Sequence, residues 1–116
     1  MKKLLSIVFL LFICCFYAQA QTDYKELVLG IPECKQTYNE WNKVKAKLQN
    51  MHGVRIKGIC SIHDCILLEV DRNIHTNNQA IFDKIKEADS RYTIFEKQAT
   101  FGEMMQMCQE ELVKQK

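Results

Sequence analysis

The chain has 116 residues, six cysteines and a formal net charge of +2. Two lysines open it, the apolar run 4–17 follows, and Ala18-Gln19-Ala20 supplies the small residues that a signal peptidase recognises. This run is shorter than the roughly 20 residues that a membrane span needs. We therefore expect residues 1–20 to be a secretory signal peptide, and the mature chain to be exported, to a periplasm or the medium, without a membrane span.

Removal of the signal peptide changes both the charge and the cysteine count. Two lysines leave with it while all fourteen acidic residues remain, so the mature chain is neutral. A neutral domain without a basic stripe gives no reason to expect nucleic acid or an anionic membrane as a partner. An even number of cysteines in an exported protein makes disulfides the default expectation. The four that remain are Cys34, Cys60, Cys65 and Cys108.

Strand-like and helix-like patterns alternate along the mature chain. The first helix pattern begins at about Cys34 and ends at His52-Gly53, where glycine is a typical terminator. The second helix pattern can be capped by Asn77 or Asn78. In order, we predict strands at 24–31, 54–59 and 66–71, a weaker strand within 92–101, helices after the first and third strands, and a final short helix after Gly102.

This order predicts an α+β fold, the ferredoxin-like βαββαβ sandwich, with a four-stranded antiparallel sheet, two helices on one face, and a C-terminal helix in addition. We expect one domain over residues 21–101 and a helical extension over 102–116. Right-handed crossovers would bring the first strand-to-helix loop, the hairpin turn and the segment before the last strand to one edge. Cys34 is therefore expected near that hairpin.

The hairpin segment Cys60-Ser61-Ile62-His63-Asp64-Cys65 concentrates the reactive side chains. A metal site formed by Cys34, Cys60, His63 and Cys65 is one interpretation, because a Cys3His set suits Zn2+ and thiolates alone suit Cu(I). A helix start at Cys34 would also favour its thiolate. A Cys60–Cys65 disulfide across the hairpin is the competing interpretation.

Face alternation bears on that disulfide. Period two places Cys60 on the face of Val54 and Ile56, and Cys65 on the opposite face. A bulge at Gly58 would bring both cysteines to one face. The sequence leaves the choice open.

Several short segments resemble the heavy-metal-associated domains, the family of small copper chaperones and mercury-binding proteins. They are Cys34-Lys35-Gln36-Thr37, Asn42-Lys43-Val44, Ala46-Lys47-Leu48 and Gly53-Val54, within about residues 27–95. The resemblance implies the βαββαβ fold and a first-loop metal site built on Gly-Met-x-Cys-x-x-Cys. Here Cys34 matches the first cysteine, Thr37 stands at the second, and the lead-in lacks the methionine. The hairpin cysteines would supply the missing ligands.

We expect from this a small exported protein that captures and hands over Cu(I) or Zn2+ by ligand exchange, with a metal ion and another envelope protein as its partners. The alternative is a disulfide-stapled interaction module without metal. A thiol-redox protein ranks third. No phosphate loop, serine elbow or recognisable carboxylate pair is present in the sequence, so we do not expect an enzyme.

The C-terminal helix carries Cys108 beside Met104, Met105 and Met107. Methionine thioethers are ligands for Cu(I), but the helical spacing favours packing. We expect Met105, Cys108 and Leu112 to cover the sheet or its last strand.

Overall fold

The computed structural model describes residues 22–114, so the expected signal peptide lies outside the described part of the chain. The predicted α+β class with a four-stranded antiparallel sheet is confirmed. The strands are β1 (Tyr24–Gly30), β2 (Val54–Cys60), β3 (Cys65–Asp71) and β4 (Phe95–Glu96), and the helices are α1 (Tyr38–Leu48), α2 (Gln79–Lys86) and α3 (Phe101–Lys114).

The strands lie in the order β2-β3-β1-β4. Strand β3 pairs along its whole length with β1, from Tyr24 opposite Asp71 to Gly30 opposite Cys65. Strand β4 pairs with β1 at only two positions, and β2 forms the other edge. The two inner strands, β3 and β1, therefore form the centre of the core.

The larger core lies between the sheet and the first two helices. Helix α1 buries Trp41, Val44 and Leu48, whose spacing of three and four places them on one face, and α2 buries Ile81 and Ile85 in the same way. They pack against alternate residues of the inner strands. The helical periodicity of the sequence predicts this face of α1, but it also assigns Tyr38 to the core, which is wrong because Tyr38 is 71% exposed.

Helix α3 covers the opposite face of the sheet. A second buried cluster contains Val28, Cys60, Cys65, Leu67 and Met104. The second half of β1, from Leu27, and nearly all of β3 are covered on both faces, and their apolar runs there are nearly continuous. The helix does pack on the sheet, but through Met104 and Cys108, whereas the predicted contact residue Met105 is 51% exposed.

A β-bulge in β2 decides which face Cys60 occupies. The register against β3 shifts between Ile56 and Gly58, which leaves Lys57 as an extra residue. Val54 and Ile56 therefore belong to the helix-side core, while Cys60 belongs to the cluster under α3. The simple alternation that grouped Cys60 with Val54 and Ile56 is wrong, and the bulge considered at Gly58 is the reason.

Two element boundaries differ from the prediction. Helix α1 begins at Tyr38, not Cys34, because Lys35 and Gln36 adopt left-handed backbone angles after a short 3-10 turn at Pro32–Cys34. Helix α3 begins before Gly102, because the Thr100 hydroxyl accepts the N–H of Glu103 at 3.2 Å, as an N-terminal cap does.

Among residues 22–114, no helix is both long enough and apolar enough to cross a bilayer.

Candidate functional site

Three loops meet at one end of the sheet, as the topology predicted. The Ile31 N–H donates to the Asp64 carbonyl at 2.9 Å, which joins the first loop to the hairpin turn. The Thr93 N–H donates to Glu33 Oε1 at 2.6 Å, which joins the segment before β4 to the same loop. The prediction that these three segments meet at one edge of the sheet is therefore confirmed.

The contact between the first loop and the hairpin turn is built from strained backbone. Lys35, Gln36 and Asp64 all have φ between 50° and 61°, which non-glycine residues rarely adopt. The Gln36 N–H donates to Asp64 Oδ1 at 2.6 Å, and the Gln36 amide donates to the Ile62 carbonyl at 2.9 Å. Such backbone persists only where surrounding contacts hold it, and it concentrates at functional sites.

The side chains of the predicted metal set are not gathered at this edge. Cys34 is fully buried in the core under α1 and α2, whereas Cys60 and Cys65 are buried in the cluster under α3. The sheet thus lies between the first-loop thiol and the hairpin cysteines. Among residues 22–114, no group of three or more His, Cys, Asp or Glu side chains is placed to hold a metal ion.

The disulfide in the structure joins Cys60 to Cys108, with 5.9 Å between the Cα atoms. The Cys60–Cys65 bridge weighed from the sequence is therefore not formed, and Cys65 is a buried free thiol, as is Cys34. The reason is the position of α3, which brings Cys108 over the face that the bulge gives to Cys60. Spacing within the hairpin carries no information about that helix.

His63 lies in the short 3-10 turn Ser61–His63 that follows β2. Its carbonyl accepts a hydrogen bond from Lys97 Nζ at 3.3 Å. Its ring Nε2 is buried and has no hydrogen-bond partner among the described protein atoms. Among the described residues, His63 therefore belongs to no group of side chains that could hold a metal ion.

A pocket of about 360 Å³ opens at the same end of the sheet, on the face covered by α1 and α2. Its wall combines three carboxylates, two cationic side chains, a phenol and the Cys34 thiol. The lining residues are Glu33, Cys34, Lys35, Thr37, Glu40, Asp89, Arg91 and Tyr92. Apart from Cys34, none of them was predicted as a site residue, because no local motif marks them and only the folded topology brings residues 33–40 and 89–92 together.

Hydrogen bonds hold the carboxylates of this pocket in their ionised form. Arg91 donates to both oxygens of Asp89, at 3.1 and 2.8 Å, and holds the pKa of Asp89 down at about 2. The Thr93 N–H lowers the pKa of Glu33, and the Tyr92 hydroxyl lowers the pKa of Glu40. All three carboxylates are therefore charged at neutral pH.

Tyr92 links the pocket wall to its buried floor. The residue is 3% exposed, and its hydroxyl donates to Glu40 Oε2. Burial and this carboxylate raise the pKa of Tyr92, so the phenol keeps its proton. The same hydroxyl interacts with the Cys34 thiol.

The surroundings of Cys34 favour its protonated thiol, and not the thiolate that the sequence predicts. A helix start would have favoured the thiolate, but α1 begins four residues later and the thiol is buried. Burial, followed by the negative charge of Asp64, raises the pKa of Cys34 to about 12. The side chain is therefore a neutral thiol at physiological pH, and it forms the uncharged floor of a pocket with a charged wall.

Replacing Tyr92 by phenylalanine removes the hydroxyl that donates to Glu40 and keeps the aromatic ring. We expect Tyr92→Phe to lower the free energy of unfolding by about 1–2 kcal/mol, because the partly buried Glu40 carboxylate loses a hydrogen-bond donor. Urea unfolding measures this. Tyr38→Phe is the matched control, since Tyr38 is 71% exposed and should change stability by less than about 0.5 kcal/mol. An equal loss of stability in the two variants would contradict a stabilising hydrogen bond from Tyr92 to Glu40.

The raised pKa of Cys34 predicts a loss of stability at high pH. Below pH 9 the thiol is neutral in both states, whereas between pH 9 and about 12 only the unfolded chain loses the proton, so the unfolded state gains stability as pH rises. We expect the urea midpoint of the wild type to fall more steeply between pH 8 and 10.5 than that of Cys34→Ala. Parallel pH profiles would show that Cys34 titrates normally.

Comparison with known proteins adds no relative to this picture. Neither a protein-family model, nor a curated protein, nor a solved structure matches the chain. The features that bear on function are therefore the pocket, the buried thiols and the disulfide.

Proposed function

We propose that this chain is a disulfide-braced binding module of the ferredoxin-like type, which holds a basic side chain of a partner protein in the pocket beside Cys34. The strand order β2-β3-β1-β4 supports the ferredoxin-like assignment, as does the packing of α1 and α2 on one face of the sheet. The disulfide supports export, because such bonds persist in oxidising compartments.

The single observation that carries the binding role is the charge of the pocket. Three carboxylates and two cations line it, and the hydrogen bonds described above keep every carboxylate ionised at neutral pH. The wall therefore has an excess of negative charge over a neutral, buried floor. A lysine or arginine side chain of a partner complements both, with its alkyl stem against the floor and its charge at the wall.

An exposed aromatic residue lies next to the pocket in sequence. Tyr38 begins α1, is 71% exposed, and follows Thr37, which lines the pocket. Tyrosine is enriched at the centre of protein–protein interfaces because it supplies contact area with few rotatable bonds. We therefore place the edge of the partner contact at the first turn of α1.

Metal capture by Cys34, Cys60, His63 and Cys65 stays a prediction, and two features favour the metal-free alternative. Cys60 is oxidised in a disulfide, and Cys34 and Cys65 are buried on opposite faces of the sheet. A soft metal ion requires thiolates that converge on one point.

The basic-residue pocket can be tested with a tetra-arginine peptide, followed by amide shifts in two-dimensional NMR spectra of the oxidised protein. We expect shifts confined to residues 33–40 and 89–93, and none with a tetra-glutamate peptide. Glu33→Gln combined with Asp89→Asn should weaken binding by about tenfold, since two of the three carboxylates are lost.

The matched control for that experiment neutralises two exposed carboxylates on α3, in Glu103→Gln combined with Glu110→Gln. This control should bind the peptide as the wild type does. Shifts spread over the whole surface would mean that the peptide recognises the net charge of the protein and not the pocket. Equal weakening of peptide binding by the two double variants would mean the same.

Metal titration separates the two functional candidates. Oxidised protein is titrated with Zn2+, and with Cu(I) under anaerobic conditions, and uptake is measured before and after reduction. We expect no stoichiometric uptake before reduction and no effect of Cys34→Ser. One tightly bound equivalent on the oxidised protein, lost in Cys34→Ser, would establish the metal role and overturn the metal-free module.

A further inference from the structure

Three cysteines share the cluster under α3. Cys60 and Cys65 are 3% and 0% exposed, and Cys108 is partly buried against them. Two of the three sulfurs form the disulfide and the third is a thiol. A free thiol packed in the same cluster as a disulfide is the arrangement from which thiol–disulfide exchange starts.

The register of the hairpin places the free thiol beside the disulfide. Cys65 is the direct cross-strand partner of Cys60, and the bulge at Lys57 turns Cys60 to the α3 face, where Cys65 also lies. Cα atoms of directly opposed antiparallel residues lie about 4.5–5.5 Å apart, within the range that disulfides span. Cys60 therefore has two partners within bonding reach, Cys108 on the helix and Cys65 on the neighbouring strand.

We propose that this cluster is an internal thiol–disulfide exchange site, in which Cys65 attacks the Cys60–Cys108 bond at Cys60 and releases Cys108. The site goes beyond the proposed binding function, since it lies on the opposite face of the sheet from the pocket.

The exchange balances without an outside reagent. The Cys65 thiol loses its proton, its sulfur forms a bond to Cys60 Sγ, and the Cys60–Cys108 bond breaks. Cys108 leaves as a thiolate and takes up one proton. One disulfide and one thiol are present before and after, so nothing is oxidised or reduced overall.

The surroundings of Cys65 set how readily it reacts. Burial raises the pKa of Cys65, and the positive charge of Lys97 opposes that rise. Lys97 is held at the hairpin by its hydrogen bond to the His63 carbonyl. The Cys60–Cys108 isomer is therefore protected in the closed structure, and exchange is expected when α3 loosens from the sheet.

Exchange has a structural consequence for α3. In the isomer of the structure the helix is covalently attached to β2, whereas in the exchanged isomer the bridge lies within the hairpin and α3 keeps only its apolar contacts. The released Cys108 then provides a thiol near the surface. The two disulfide isomers thus differ in whether α3 is covalently attached to the second face of the sheet.

Alkylation mapping tests the exchange. The oxidised protein is incubated folded at pH 8 without reductant or oxidant, with iodoacetamide present to trap released thiols, and labelled cysteines are mapped by mass spectrometry. We expect carbamidomethyl-Cys108 to accumulate together with a Cys60–Cys65 peptide, at a rate independent of protein concentration.

Cys65→Ala is the decisive variant, because it removes the attacking thiol and leaves the disulfide in place. Labelling of Cys108 should fall to background in it. Labelling of Cys65 alone in the wild type overturns the proposal, and so does Cys108 labelling that persists in Cys65→Ala or scales with protein concentration. Lys97→Met should slow the labelling of Cys108 relative to Lys97→Arg, which keeps the charge.

Discussion

The covalent attachment of α3 to the second face of the sheet is the constraint on which the rest of this structure depends. The disulfide joins positions 48 residues apart, and a cross-link of that span is worth about 4 kcal/mol on a chain-entropy estimate. That is a large share of the stability of a domain this small. With the helix in place, the second half of β1 and nearly all of β3 are buried on both faces.

The two faces of the sheet consequently have different chemistry. On the helix side, a neutral Cys34 forms the floor of a pocket whose carboxylates are all ionised. On the α3 side, a disulfide and a thiol share a buried apolar cluster. Because the sheet separates them, we expect the proposed ligand binding on one face and the proposed thiol–disulfide exchange on the other to respond independently to substitution.

Much of the fold follows from local pattern, and much of the site does not. The helical spacing of Trp41, Val44 and Leu48 and the apolar run of β3 are visible in the sequence, and the meeting of three loops at one edge follows from their order. The position of Cys60 depends on one extra residue in β2, which alternation does not reveal. Its partner depends on tertiary packing of α3, since nothing near Cys108 specifies which thiol it meets.

The bulge that turns Cys60 toward α3 also shapes the outer margin of the sheet. Strand β2 is an edge strand, and its exposed Arg55 and Lys57 both lie within 4.0 Å of Glu69 on β3. An irregular, lysine-bearing edge is a poor template for the backbone of another chain. One inserted residue thus directs a cysteine inward and, on the same strand, guards the protein against growing into a continuous intermolecular sheet.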